Sequence, residues 1–160
     1  CHEGVRALAR FYPEMTALRD LTPDQFEAHA GDLNPVVARR CRFITEENER
    51  VLRFAETLPE GDWEAVSALT RASYAGARDL YEISSPEMEA MMRSMLDAPG
   101  VIGARQAGAG FGGCMVALVD ARAADEFEEQ VRRSYAAATG IGAEVYAVSA
   151  AAGAGRLEEA

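Results

Sequence analysis

The sequence predicts an α+β domain, a small antiparallel sheet with helices packed on one face. Three observations carry that reading. Apolar residues at helical spacing fill the first two thirds of the chain. Period-2 alternation is confined to the last third, on either side of a glycine-rich loop. The closing order of strand, strand, helix, strand is the latter part of a split βαβ, ferredoxin-like sandwich, although its fourth strand is not found. At 160 residues the chain is long enough for one domain with a sizeable core.

Residues 3–11 open with helical spacing in Val5, Leu8 and Ala9. Thr22-Pro23-Asp24-Gln25 reads as an N-cap, a proline at the first helical position and a capping box. Asn34-Pro35 repeats the start signal for a long helix with an apolar stripe of Val37, Cys41, Ile44, Val51, Phe54, Ala55 and Leu58, ended by Pro59-Glu60-Gly61. Asp62 caps the next helix, which sets Trp63, Val66, Leu69, Ser73, Ala77, Leu80 and Tyr81 on one face. Ser84-Ser85-Pro86 starts a Met-rich helix of Met88, Met91, Met92, Met95 and Leu96, whose spacing is that of a core face. Val101–Ala107 and Cys114–Asp120 pair antiparallel around the loop. Ala123–Ala138 is helical, with Ala124, Phe127, Val131, Tyr135 and Ala138 inward, and Thr139-Gly140 closes it. Residues 143–150 alternate as a third strand, and the Ala-Gly tail after Ser149 is expected to fray.

Composition narrows the function. The net charge of −10 repels phosphodiester backbones, so no nucleic-acid partner is expected. All 16 basic residues are arginine, which excludes a Walker-type or Schiff-base lysine. No apolar run approaches the roughly 20 residues that span a bilayer, so no membrane partner is expected. The opening Cys1-His2-Glu3-Gly4 carries no signal-peptide pattern and no initiator Met, which suggests a chain cut from something longer. Cys1, Cys41 and Cys114 are odd in number, far apart and without zinc spacing, so reduced thiols in a cytoplasmic protein are expected. Cys114 reads as a small buried residue entering a strand rather than a nucleophile, because the available bases, His2 and His29, are distant in sequence.

Four glycines fall within the six positions Gly108, Ala109, Gly110, Phe111, Gly112 and Gly113. Such a loop lets backbone approach a ligand and can form an anion-binding nest. The same residues also suit a tight hairpin with a bulge.

The segment Gly108–Cys114 resembles the third signature of the GHMP small-molecule kinase superfamily. Thr45-Glu46-Glu47-Asn48-Glu49-Arg50-Val51 is similar to the family's long helix. Leu18–Thr22, Leu80–Ser84 and Pro99–Arg105 fit as well. Phe111 favours the galactokinase branch, and the likeness covers nearly the whole chain, which resembles that branch's C-terminal portion. Departures are Tyr74 and Phe43 where histidine is usual, Ser85 for a common Cys, Met88-Glu89 for Leu-Asp, and Gln106-Ala107 for Met-Thr just before the loop.

The resemblance implies that residues 1–160 form a GHMP kinase C-terminal domain whose N-terminal catalytic half is absent. It implies ATP-dependent phosphorylation of galactose at the anomeric hydroxyl, with ATP, Mg²⁺ and a hexose as ligands. The nucleotide, metal and catalytic groups are expected mainly in the N-terminal domain. The loop 108–113 is expected to complete the phosphate and sugar cleft, and no catalytic or metal-binding residue is expected here. A non-catalytic sugar-binding or regulatory protein on the same scaffold is the alternative. Arg105 is read as reaching a phosphate or making a surface or interdomain ion pair. Asp79 and Glu82, one turn apart, read as solvated or capping groups rather than an acid/base pair.

Overall fold

The computed structural model describes residues 1–108 and 110–151. Its helices are α1 (His2–Leu8), α2 (Pro23–Glu27), α3 (Pro35–Glu60), α4 (Trp63–Gly76), α5 (Pro86–Leu96) and α6 (Ala124–Thr139). Its strands are β1 (Val101–Gln106) and β2 (Met115–Val119), paired antiparallel. This is the expected α+β class.

Capping side chains set the helix starts. Thr22 Oγ1 accepts from the Gln25 amide at 3.2 Å while Gln25 Oε1 accepts from the Thr22 amide at 2.9 Å. Asn34, Asp62 and Ser85 each accept from an amide in the first turn of α3, α4 and α5. Gly61 and Gly140 end α3 and α6 in the left-handed conformation. α3 ends within Pro59-Glu60-Gly61, as expected, with Pro59 in its last turn and Glu60 its last residue. A proline so near the end disturbs only the final turn.

Two apolar clusters form the interior. Leu8, Leu18, Leu21, Phe26 and Cys41 join α1, α2 and the first half of α3. Tyr74, Met92, Met95, Ala104, Phe127 and Val131 join α4, α5, β1 and α6. The Met-rich face of α5 is therefore core, as expected.

Four expectations are corrected. Val51, Ala55 and Leu58 are exposed because among the described residues no element covers that face of the second half of α3, and Trp63 is half-exposed at the start of α4. Ala138 is exposed, one turn past the last buried residue of α6. Cys114 is exposed rather than buried, because it lies at the loop mouth before β2 begins. Residues 143–150 form no strand. The Arg132 guanidinium instead takes the carbonyls of Ala143 and Val145 at 3.0 and 3.1 Å, so they join no ladder, and Tyr146 and Val148 stand in solvent. Ala151 is the last described residue of the tail expected to fray; residues 152–160 lie outside the described residues.

α4 and α5 pack on β1, and α6 packs on α5. Gly103 allows the close approach of α4, since a Cβ there would collide with the Thr70 hydroxyl. On β2, Val116 and Leu118 point to the uncovered face. The hairpin thus projects its loop from a sheet fixed by helices.

Candidate functional site: the glycine loop

The hairpin closes where the Ala107 amide donates to the Cys114 carbonyl at 2.8 Å. Beyond it the backbone runs in the left-handed region: φ is +86° at Gly108, +89° at Gly110, +58° at Phe111, +128° at Gly112 and +97° at Gly113. Ala109 lies outside the described residues. A side chain is strained at such angles, which is why the sequence places glycine there. Gly110 is fixed by space as well. A Cβ there would sit 2.5 Å from the Ile83 carbonyl oxygen and 2.6 Å from its Cβ.

The loop is tethered at two amides. Phe111 N–H donates to the Ile83 carbonyl at 2.8 Å, and Gly112 N–H donates to Met88 Sδ at 3.2 Å. Those two donors face the scaffold and do not contribute to an anion nest. Phe111 is 73% exposed, so it is not a core residue, and its ring projects from the loop.

Arg105 points to α3 rather than the loop, with its guanidinium 3.4 Å from Glu47 Oε1. Glu47 also accepts from Arg50 Nε at 2.8 Å and from the Ser73 hydroxyl at 2.6 Å. One carboxylate therefore ties α3, α4 and β1 together. Glu47 and Arg50 lie between the apolar positions of the long helix, and the sequence reading did not find this network. Ser73 on the inner face of α4 was the available signal.

Asp79 and Glu82 do not act on each other. Asp79 pairs with Arg78 at 2.7 Å, and that hydrogen-bonded guanidinium holds its carboxyl below the usual range. Glu82 is held by Arg39 and Arg40. Burial pushes the Cys41 thiol up, as suits an inert core thiol. His29 stacks on Phe11 at 3.7 Å in the N-terminal cluster, away from Cys114. Among the described residues no three His, Cys, Asp or Glu side chains converge on a metal position. Two surface clefts, of about 350 and 550 Å³, open beside Tyr12 and beside Tyr74, and neither includes a loop residue.

Comparison with known proteins places this geometry. Residues 54–137, just over half of the chain, match the family described as GHMP kinases C terminal. The chain belongs to that family. It is 37% identical over 157 residues to a galactokinase of Roseiflexus sp. (strain RS-1), an alignment covering 98% of this chain and 40% of that protein. It is 37% identical over 159 residues to a galactokinase of Enterococcus faecalis (strain ATCC 700802 / V583), covering 98% and 41%. The chain thus spans about two fifths of the length of these relatives. In three dimensions it resembles the crystal structure of Lactococcus lactis galactokinase complexed with galactose. The TM-score is 0.78 at 28% identity, over 88% of this chain and 37% of that one.

The departures from the GHMP pattern can now be placed. Tyr74 is buried and its hydroxyl lies 3.3 Å from Ser84 Oγ. Phe43 is buried 5.2 Å from the Tyr81 ring. Ser85 caps α5. These residues serve packing and helix initiation. Gln106 is only 4% exposed, and among the described residues nothing donates to its amide oxygen.

Proposed function

We propose that this GHMP kinase C-terminal domain serves a galactokinase, which transfers the γ-phosphoryl group of ATP to the anomeric hydroxyl of galactose. The observation that carries the reading is the tethered left-handed loop of Gly108, Gly110, Phe111, Gly112 and Gly113, in a chain similar to galactokinases over almost its whole length. Phosphoryl transfer needs alignment, neutralised charge and exclusion of water rather than covalent help from the protein. A loop with few side chains, pinned by Ile83 and Met88, suits close approach to a phosphate or sugar. In this reading loop 108–113 forms one wall of the cleft. The partner domain, N-terminal to this one, supplies the Mg²⁺ contact and the catalytic groups. A cytoplasmic location accords with three free thiols. No helix of the described residues is long and apolar enough to cross a membrane.

The test is an ATP-consumption screen of the full-length protein against a panel of hexoses, repeated with Gly110→Val. Galactose is expected to be the preferred acceptor. The variant is expected to lose about tenfold or more in kcat, because a β-branched residue resists φ near +89° and collides with Ile83. Galactose binding without ATP turnover would overturn the kinase reading in favour of a sugar-binding protein. Unchanged kinetics in the variant would remove the loop from the cleft.

A further inference from the structure

Among the described residues only Glu82 and Phe111 are non-glycine residues with φ in the left-handed region, at +62° and +58°. A single hydrogen bond links their neighbourhoods. Glu82 caps a π-helical turn, Ala77–Tyr81, that extends α4. The next residue, Ile83, donates its amide back to the Ala77 carbonyl at 3.1 Å and accepts the Phe111 amide at 2.8 Å. Gly110 lies against the same residue. Ile83 is therefore the backbone seat of the loop, beside the Met88 thioether that takes the Gly112 amide, and the turn at Glu82 sets the direction of Ile83.

Glutamate has no local preference for that conformation, unlike glycine or asparagine. Something else must hold it. Its Oε1 lies 2.9 Å from an Arg39 guanidinium nitrogen and its Oε2 lies 3.2 Å from one of Arg40. Both arginines are on α3, so the carboxylate is gripped between consecutive residues of the longest helix. All three side chains are about half exposed. Such pairs add little to global stability, but a local turn needs only a modest bias. π-turns also recur at functional sites.

We propose that Arg39, Glu82 and Arg40 form a clamp that positions the glycine loop, holding the left-handed turn from which Ile83 presents its carbonyl to Phe111. These are positioning residues, and their role in turnover rests on the reading of loop 108–113 as a wall of the cleft. The clamp predicts that loop order depends on a charge cluster on the surface of α3.

The test uses the full-length protein and reads amide hydrogen exchange of the peptide spanning 107–113, together with kcat. In Arg39→Ala/Arg40→Ala that peptide should exchange about three- to tenfold faster, and kcat should fall by a similar factor. Adding Glu82→Gly should restore both, because glycine holds the left-handed turn without a clamp. The unmodified protein gives an independent reading should the variants misfold. Raising salt from roughly 0.05 to 1 M should screen the half-exposed pairs and speed exchange in 107–113 while leaving unchanged α5, which among the described residues carries no ion pair. Unchanged exchange in the double arginine variant, no salt effect, or no rescue by Glu82→Gly would each overturn the clamp. Exchange that responds while Gly110→Val keeps full activity would overturn the cleft reading and leave the clamp standing.

Discussion

Replacing Gln106 by Met should stabilise this domain. Gln106 ends β1, pairs with Met115 and is almost completely buried, yet its amide oxygen receives no donor among the described residues. A buried polar group without its partner costs about 1–3 kcal/mol. Methionine is unbranched, of similar length and carries no such group, and volume-conserving swaps cost less than about 1.5 kcal/mol. The balance is a gain of about 1–2 kcal/mol. Native-state hydrogen exchange of the β1 amides in the full-length protein reads this locally, whatever the stability of the remaining protein. Exchange by opening of this domain should slow by about five- to thirtyfold, taking 1.36 kcal/mol per factor of ten. Gln106→Glu is the control of opposite sign. It keeps the shape and adds a charge, so the same amides should exchange faster. Exchange in Gln106→Met that is unchanged or faster would refute the reasoning, because it would mean that the amide oxygen costs nothing where it lies.

Two further outcomes follow from the charged groups. Glu47→Ala should lower stability by about 1–2 kcal/mol, read as a urea midpoint, because it leaves the Ser73 hydroxyl without its acceptor and the Arg50 guanidinium with Glu46 as its remaining carboxylate; a loss below about 0.5 kcal/mol would match a surface site and sink the three-element tie. Asp120 accepts from the Arg122 guanidinium and from its amide, which hold the Asp120 carboxyl at about 2, below the ordinary 3.8. Its contribution is therefore present above pH 3.8 and is lost as the pH falls through about 2. In Asp120→Asn the dependence of stability on pH should be flatter across that window, and an unaltered slope would contradict the pairing.

What the sequence makes legible is local. Thr22, Asn34, Asp62 and Ser85 are short-range signals, and all four cap the helices expected of them. The Met stripe of α5 and the hairpin around the loop are equally local patterns. The failures need a partner from elsewhere in the chain. Periodicity puts Val51, Leu58 and Trp63 on apolar stripes, but a position on a stripe is buried only where another element faces it, and among the described residues none faces these three. The alternation of residues 143–150 suits a strand, yet Arg132 takes two of its carbonyls first. Glu47 is one charge among several on a long helix, and its partners Ser73 and Arg105 arrive from α4 and β1. At the candidate site the glycines are legible and Glu82 is not, since its conformation comes from α3, more than forty residues away.

That division also bears on what a glycine-rich loop can do. Glycine opens the left-handed region and gives close backbone approach, but the same freedom makes the free loop costly to order. An untethered loop would incur that cost each time a ligand bound. Here the Phe111 and Gly112 amides donate to Ile83 and Met88, and Gly110 has no room for a side chain. The ordering is therefore done largely by the fold, and in the proposed reading of the loop as a cleft wall it would precede the ligand, which is the arrangement electrostatic preorganisation requires. The two amides used for tethering are the ones withdrawn from binding. A longer nest would bind an anion with more donors but hold them less firmly. The strained Phe111 backbone, with its ring in solvent, marks the point where the loop gives up local comfort for a fixed position.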